Sequence, residues 1–104
     1  MPKIEILPDD DFDNFLEKML EIFWFKDVTL YTPVRLYNND DFDVISFEEL
    51  CKMIYENANK ITAMTSVAIY TSDLKTFEAT IHYVVPEEVD YSDVRTYFKF
   101  ELDS

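Results

Sequence analysis

What most narrows the folds open to this chain is a residue it lacks: none of its 104 positions is glycine. Proteins on average carry about 7% glycine, and glycine is the residue that lets a backbone turn left-handed or approach a ligand closely with no Cβ in the way. A phosphate cradle or dinucleotide-binding turn of the usual glycine-rich kind therefore has no material here. Tight turns fall to Asn, Asp and Ser, whose short side chains tolerate the required shapes and bond the backbone locally.

The rest of the chain has ample apolar material. Hydrophobic residues make up 48% and aromatics 16%, with nine Phe and seven Tyr, enough to offset the ordering entropy of one modest core. The expectation is one compact acidic domain spanning 1–104. Cys51 stands alone, which excludes an internal disulfide and fits a reducing compartment. No apolar run reaches the roughly 18 residues of a spanning helix, and Met1 to Glu5 shows no secretory pattern, so cytoplasmic residence is the expectation.

Periodicity gives the elements. Lys3 to Leu7 supplies a short edge strand stopped by Pro8. Asp9, Asp10 and Asp11 then suit a helix start, since carboxylates accept first-turn amides and favour the positive helix end. Phe12, Phe15, Leu16, Met19, Leu20 and Phe23 recur at helical spacing, while Asp13, Glu17 and Glu21 form a separate i,i+4 line. Val28, Leu30, Thr32, Val34 and Leu36 alternate with polar neighbours as a strand, which Pro33 confines to an edge or a bulge. Asn38 to Asp43 reads as an acidic loop, with Phe42 as its anchor or as a contact residue. Ser46 and Glu49 have capping-box spacing ahead of a stripe of Phe47, Leu50, Cys51, Ile54, Tyr55 and Ala58.

The C-terminal half switches to period two. Val67 and Ile69 alternate with Ala68 and Tyr70, and Ser72 to Lys75 turns the chain toward Phe77, Ala79, Ile81, Tyr83 and Val85. After Pro86-Glu87-Glu88 a last strand places Val94, Phe98, Phe100 and Leu102 on one face. The fold expected is α+β: two helices packed on one face of a mainly antiparallel sheet of four or five strands, in the approximate order (β)-α-β-α-β-β-β.

No catalytic constellation emerges. His82, the sole histidine, falls on the face of its strand opposite Phe77 and Ile81, and Cys51 falls on a core stripe, so a Cys-His dyad is disfavoured. The acidic runs Asp9 to Asp13 and Asn38 to Asp43 lack the calcium-loop pattern with its central glycine and terminal glutamate. No enzyme activity, metal or cofactor is expected.

Charge is the signal that remains. Twenty-two acids against nine bases give −13, spread over both halves, so the carboxylates decorate a packed body and favour a basic partner over nucleic acid or an anionic membrane. Asp13, Glu17 and Glu21 would recur about every 6 Å along a helix axis, close to alternate phosphates of one DNA strand at about 3.4 Å each. Asp9, Asp10, Asp11, Asp40, Asp41, Asp43, Glu48, Glu49 and Glu56 extend this candidate acidic face. In size, charge density and dispersed carboxylates the chain resembles, at class level, the small acidic inhibitors of phages and mobile elements, including anti-restriction and anti-CRISPR proteins. That resemblance implies occupation of a basic nucleic-acid-binding surface by charge mimicry, in the host cytoplasm. The alternative is an assembly or accessory protein kept soluble by its acidity, a homodimer for instance, with Tyr31, Tyr37, Tyr70 or Tyr97 at the interface.

Overall fold

The computed structural model describes residues 2–6, 10–61, 65–84, 90 and 92–103. Asp9, Val85 and the Pro86-Glu87-Glu88 turn of the sequence reading lie outside them, as do Leu7 and Pro8. In chain order the elements are β1 (Lys3–Ile6), α1 (Phe12–Ile22), a 3-10 turn (Trp24–Lys26), β2 (Pro33–Asn38), β3 (Asp41–Ser46), α2 (Phe47–Asn59), β4 (Thr65–Thr71), β5 (Thr76–Tyr83) and β6 (Tyr97–Leu102). Among the described residues no helix is long and apolar enough to cross a membrane.

The α+β class holds, but the sheet is larger than the four or five strands expected. Among the described residues six strands pair antiparallel throughout in the order β1-β4-β5-β6-β2-β3. The addition is β3. Asn38 to Asp43, expected as a loop, is instead a hairpin whose turn is Asn39-Asp40 and whose return strand continues to Ser46. Asn39 takes the left-handed conformation, φ 59°, the job glycine would do elsewhere.

This hairpin also moves Pro33 away from an edge. β2 lies between β6 and β3, and Pro33 is its first residue, where a missing N–H costs least. The expected strand from Val28 is cut short for a local reason. The Thr32 hydroxyl accepts the Thr29 amide at 2.8 Å and the Thr29 hydroxyl accepts the Tyr31 amide at 3.3 Å, so side chains hold residues 29–32 in a turn. That turn then serves α2, because the carbonyls of Thr32 and Leu30 accept the Phe47 and Glu48 amides at 2.9 and 3.0 Å, two donors with no partner inside the helix.

Both helices start as their sequences imply. The Asp11 carboxylate accepts the Asn14 amide at 2.9 Å, and the Ser46 hydroxyl accepts the Glu49 amide at 3.1 Å. Phe15, Leu16 and Met19 of α1 and Phe47, Leu50, Cys51, Ile54 and Ala58 of α2 are buried against one side of the sheet. Phe23, just past α1, is the hub. Its fully buried ring meets Phe77, Phe47 and Phe100 edge-on at 4.9, 5.6 and 6.0 Å, geometries that add about 0.5–1.5 kcal/mol each beyond area burial.

Candidate functional site

Pairing register decides which strand residues share a face, since partners across a ladder point the same way. Ile4, Val67 and Ile81 stack toward the helices, as do Ala79 with Phe98 and Leu36 with Phe100. The opposite, open face carries Lys3, Glu5, Tyr70, His82, Glu78, Tyr97, Lys99, Glu101, Arg35, Tyr37, Phe42 and Val44. Its strand charges cancel, Lys3, Arg35 and Lys99 against Glu5, Glu78 and Glu101.

These open-face groups are tied to one another. The Tyr37 hydroxyl donates to Glu101 Oε2 at 2.7 Å, and Lys75 Nζ approaches Glu101 Oε1 at 3.5 Å. Chiefly through the Tyr37 hydrogen bond, with Lys75 adding, the Glu101 carboxyl is held below its ordinary range, and the same bond raises the Tyr37 phenol. Lys99 lies over the Tyr37 ring at 5.7 Å, Arg35 over Phe42 at 5.6 Å, and the Tyr37 and Phe42 rings are 5.9 Å apart. Partial burial and then a Glu78 hydrogen bond raise the Tyr97 phenol. Tyr70 reaches along β4 to place its hydroxyl 3.4 Å from His82 Nε2. Ala68, between them on the same face, is buried although it faces away from the core.

The helix layer is different. Asp13, Glu17 and Glu21 are exposed along α1, and Glu48, Glu49 and Glu56 are exposed along α2. None of these six makes an ion pair with a described residue. α1 and α2 adjoin through Phe12, Phe15 and Tyr55, whose rings pack at 5.7 Å, and the Tyr55 hydroxyl donates to the Asp10 carbonyl at 2.8 Å. Asp10 itself is partly buried and pairs with Lys18 at 3.4 Å, while Asp11 serves as the N-cap.

Asp40, Asp41 and Asp43 stand apart from both helices on the β2-β3 hairpin. Asp41 and Asp43 point to the helix side of the sheet but remain exposed, because β3 is the outermost strand and the helices do not cover its first half. The expected acidic face is thus divided between the helices and the hairpin. The four tyrosines divide as well: Tyr37, Tyr70 and Tyr97 share the open face, whereas Tyr31 sits in the turn before β2.

Cys51 and His82 lie on opposite sides of the sheet, so they form no dyad. Burial, with Glu48 adding, pushes the Cys51 thiol far above its ordinary range, which leaves it a core residue. Phe42 packs on Tyr37 while staying 46% exposed. Sequence reasoning missed Val44, 62% exposed beside it on β3. An alternation of Phe42 and Val44 against Asp41 and Asp43 was available as its signal, but the acids made the stretch look like a loop. No family model, curated protein or solved structure matches the chain.

Proposed function

We propose that this protein is a noncatalytic binding protein that blocks a basic, nucleic-acid-binding surface of a partner by offering carboxylates in place of phosphates. The observation that carries the reading is the set of six exposed helix carboxylates, Asp13, Glu17, Glu21, Glu48, Glu49 and Glu56, that no described cation neutralises. Charge left unpaired costs self-repulsion in the folded state, and a Lys- or Arg-rich groove relieves that cost on binding. Fields of this kind steer association and make it sensitive to salt.

The test is a partner captured from the native host and re-bound in purified form, with its nucleic acid as competitor. Reversing Asp13, Glu17 and Glu21 to Lys weakens binding about tenfold or more, taking roughly 0.5 kcal/mol per exposed charge, and flattens its salt dependence. Unchanged salt-sensitive inhibition by the triple variant would remove α1 from the contact.

A second reading has its own support in the charge-balanced open face, where Tyr37, Tyr97 and Phe42 are assembled without net charge. A homodimer formed through that face would bring two strongly acidic bodies together where repulsion is least. Sedimentation across a range of concentrations and salt separates this from a monomeric inhibitor.

A further inference from the structure

The outer edge of β3 is defined by the backbone pattern of the hairpin. Only Asn39 and Asp40 separate Asn38 from Asp41, so Asn38 and Asp41 form the hydrogen-bonded pair that closes the turn. Alternation then directs the N–H and C=O groups of Asp43 and Ile45 toward β2 and those of Phe42 and Val44 away from it. β2 obeys the same alternation on its other side, where the Pro33 carbonyl accepts the Asp103 amide at 3.0 Å and the Tyr37 carbonyl accepts from Arg95 Nη2 at 3.2 Å.

Among the described residues β3 is therefore an unpaired strand edge, six residues long with no proline. The opposite edge of the sheet, β1, is shorter, at four residues, and carries both a base and an acid on its exposed face. Short, charged edges resist added strands. On β3 the two faces differ in kind: Asp41 and Asp43 face the helix side, and Phe42 and Val44 face the open side. The Phe42 amide, aimed outward, is held at 3.1 Å by the Asp41 carboxylate of its own strand.

We propose that β3 receives an extended segment of the partner, antiparallel or parallel, in which basic residues alternate with apolar ones. This rests on the reading that the partner is basic. The bases lie against Asp41 and Asp43 and the apolar residues against Phe42 and Val44, the cross-strand pairing that stabilises sheets, while the main chain bonds Val44 and Phe42 as in strand addition. Asp41 acts as a guard: its carboxylate closes the Phe42 amide until a cation opposite draws it away. A second copy of this chain fits poorly there, because pairing β3 with β3 sets Asp41 and Asp43 of both copies side by side.

The probe is a short, end-blocked peptide alternating Lys and Val, titrated into the isotope-labelled full chain and followed by amide NMR. The expected result is shifts and slowed exchange confined to Asp41 to Ser46. Val44→Pro, which removes an outward N–H together with the Val44 side chain, weakens binding at least about tenfold, and Asp41→Asn and Asp43→Asn weaken it about two- to fivefold each. Because the proline variant can disturb the hairpin, the same peptide methylated on alternate backbone nitrogens provides a second arm: it keeps its charge, cannot complete a ladder, and loses binding in one of the two registers.

Equal binding by the methylated peptides in both registers would overturn strand addition. Shifts confined to α1 and α2, with β3 unmoved, would overturn this inference and leave the basic-partner reading standing. No binding of the peptide anywhere would overturn the β3 inference alone, the basic-partner reading being decided by the Asp13, Glu17 and Glu21 reversal. Dimerisation of the chain alone, abolished by Val44→Pro, would assign the edge to a second copy and overturn the basic segment.

Discussion

On the helix side of the sheet Asp13, Glu17, Glu21, Glu48, Glu49 and Glu56 stand in solvent without a described cation, whereas on the open side Glu101 is gripped by Tyr37 and Lys75. The same residue types thus do two kinds of work within one small protein. Where carboxylates are bonded inward they tie strands together, and where they are left outward they add self-repulsion. The difference lies in the neighbours. Strand register brings Tyr, Lys and Arg to the open face, while the helical repeat of α1 brings acid next to acid.

The comparison can be broken most drastically at the hub that joins the two layers. Phe23→Ala empties a site surrounded by Phe47, Phe77 and Phe100 and lowers stability by about 3–5 kcal/mol, read by urea unfolding. Loss of under 1 kcal/mol would mean that the helix layer is held elsewhere. Next come the helix starts: Asp11→Ala and Ser46→Ala each cost about 1 kcal/mol, loosening the acidic layer while the open-face network persists. Thermal unfolding measures the cost, and an unchanged midpoint would deny the caps their role.

The sharpest form uses one chemical change on both faces. Glu101→Gln removes a carboxylate held below its ordinary range. The folded protein binds that proton less readily than the unfolded chain, so the stabilisation is present above a pH near 4.5 and is lost as pH falls through the lower folded value. The variant is therefore less stable than the parent at pH 7 and nearly equal to it at the acid end. Glu17→Gln, by contrast, relieves repulsion and gives a slight rise in midpoint at low salt that added salt removes. If both variants shift stability in the same direction, the contrast between the faces fails.

The smallest effect concerns the β4-β5 loop. Leu74 has φ 59°, a left-handed conformation that a leucine adopts at a cost, held there by the Thr71 hydroxyl accepting the Leu74 amide at 2.9 Å. Asp73 braces the same turn by accepting the Lys75 and Thr76 amides at 2.9 and 2.7 Å. Leu74→Asn raises stability by about 0.5–1 kcal/mol, measured by denaturant midpoint; no gain would mean the loop carries no strain.

Much of this architecture was legible because local preference and final environment agree. α1 carries its apolar stripe and its Asp11 cap in one short stretch, and α2 announces itself through Ser46 and Glu49. β5 and β6 alternate cleanly because one face is core, while β4 is buried on both faces from Thr65 to Ile69. What could not be read were places where a local signal meets a distant partner. Val28 to Thr32 alternates like a strand, yet the hydroxyls of Thr29 and Thr32 claim its backbone. Asp41 and Asp43 occupy the side of β3 where apolar residues are normal, and only the ladder to β2 makes that stretch a strand. The candidate site suffered for the same reason: the helix carboxylates were visible as a line, but the hairpin array and the exposed Val44 depended on a strand that local pattern hid.

The left-handed residues Asp27, Asn39 and Leu74 have a counterpart in the unfolded chain. Glycine is the residue with the most backbone freedom to lose, and each site without it leaves the denatured ensemble poorer by about 0.4–1 kcal/mol of conformational entropy. A chain of this length would ordinarily hold about seven glycines, so the summed saving of about 3–7 kcal/mol exceeds the roughly 1–2 kcal/mol that left-handed Leu74 concedes. The native state thus competes against a stiffer, less varied denatured ensemble, and a glycine placed at an exposed position of a right-handed or extended segment would weaken the protein chiefly by enriching that ensemble.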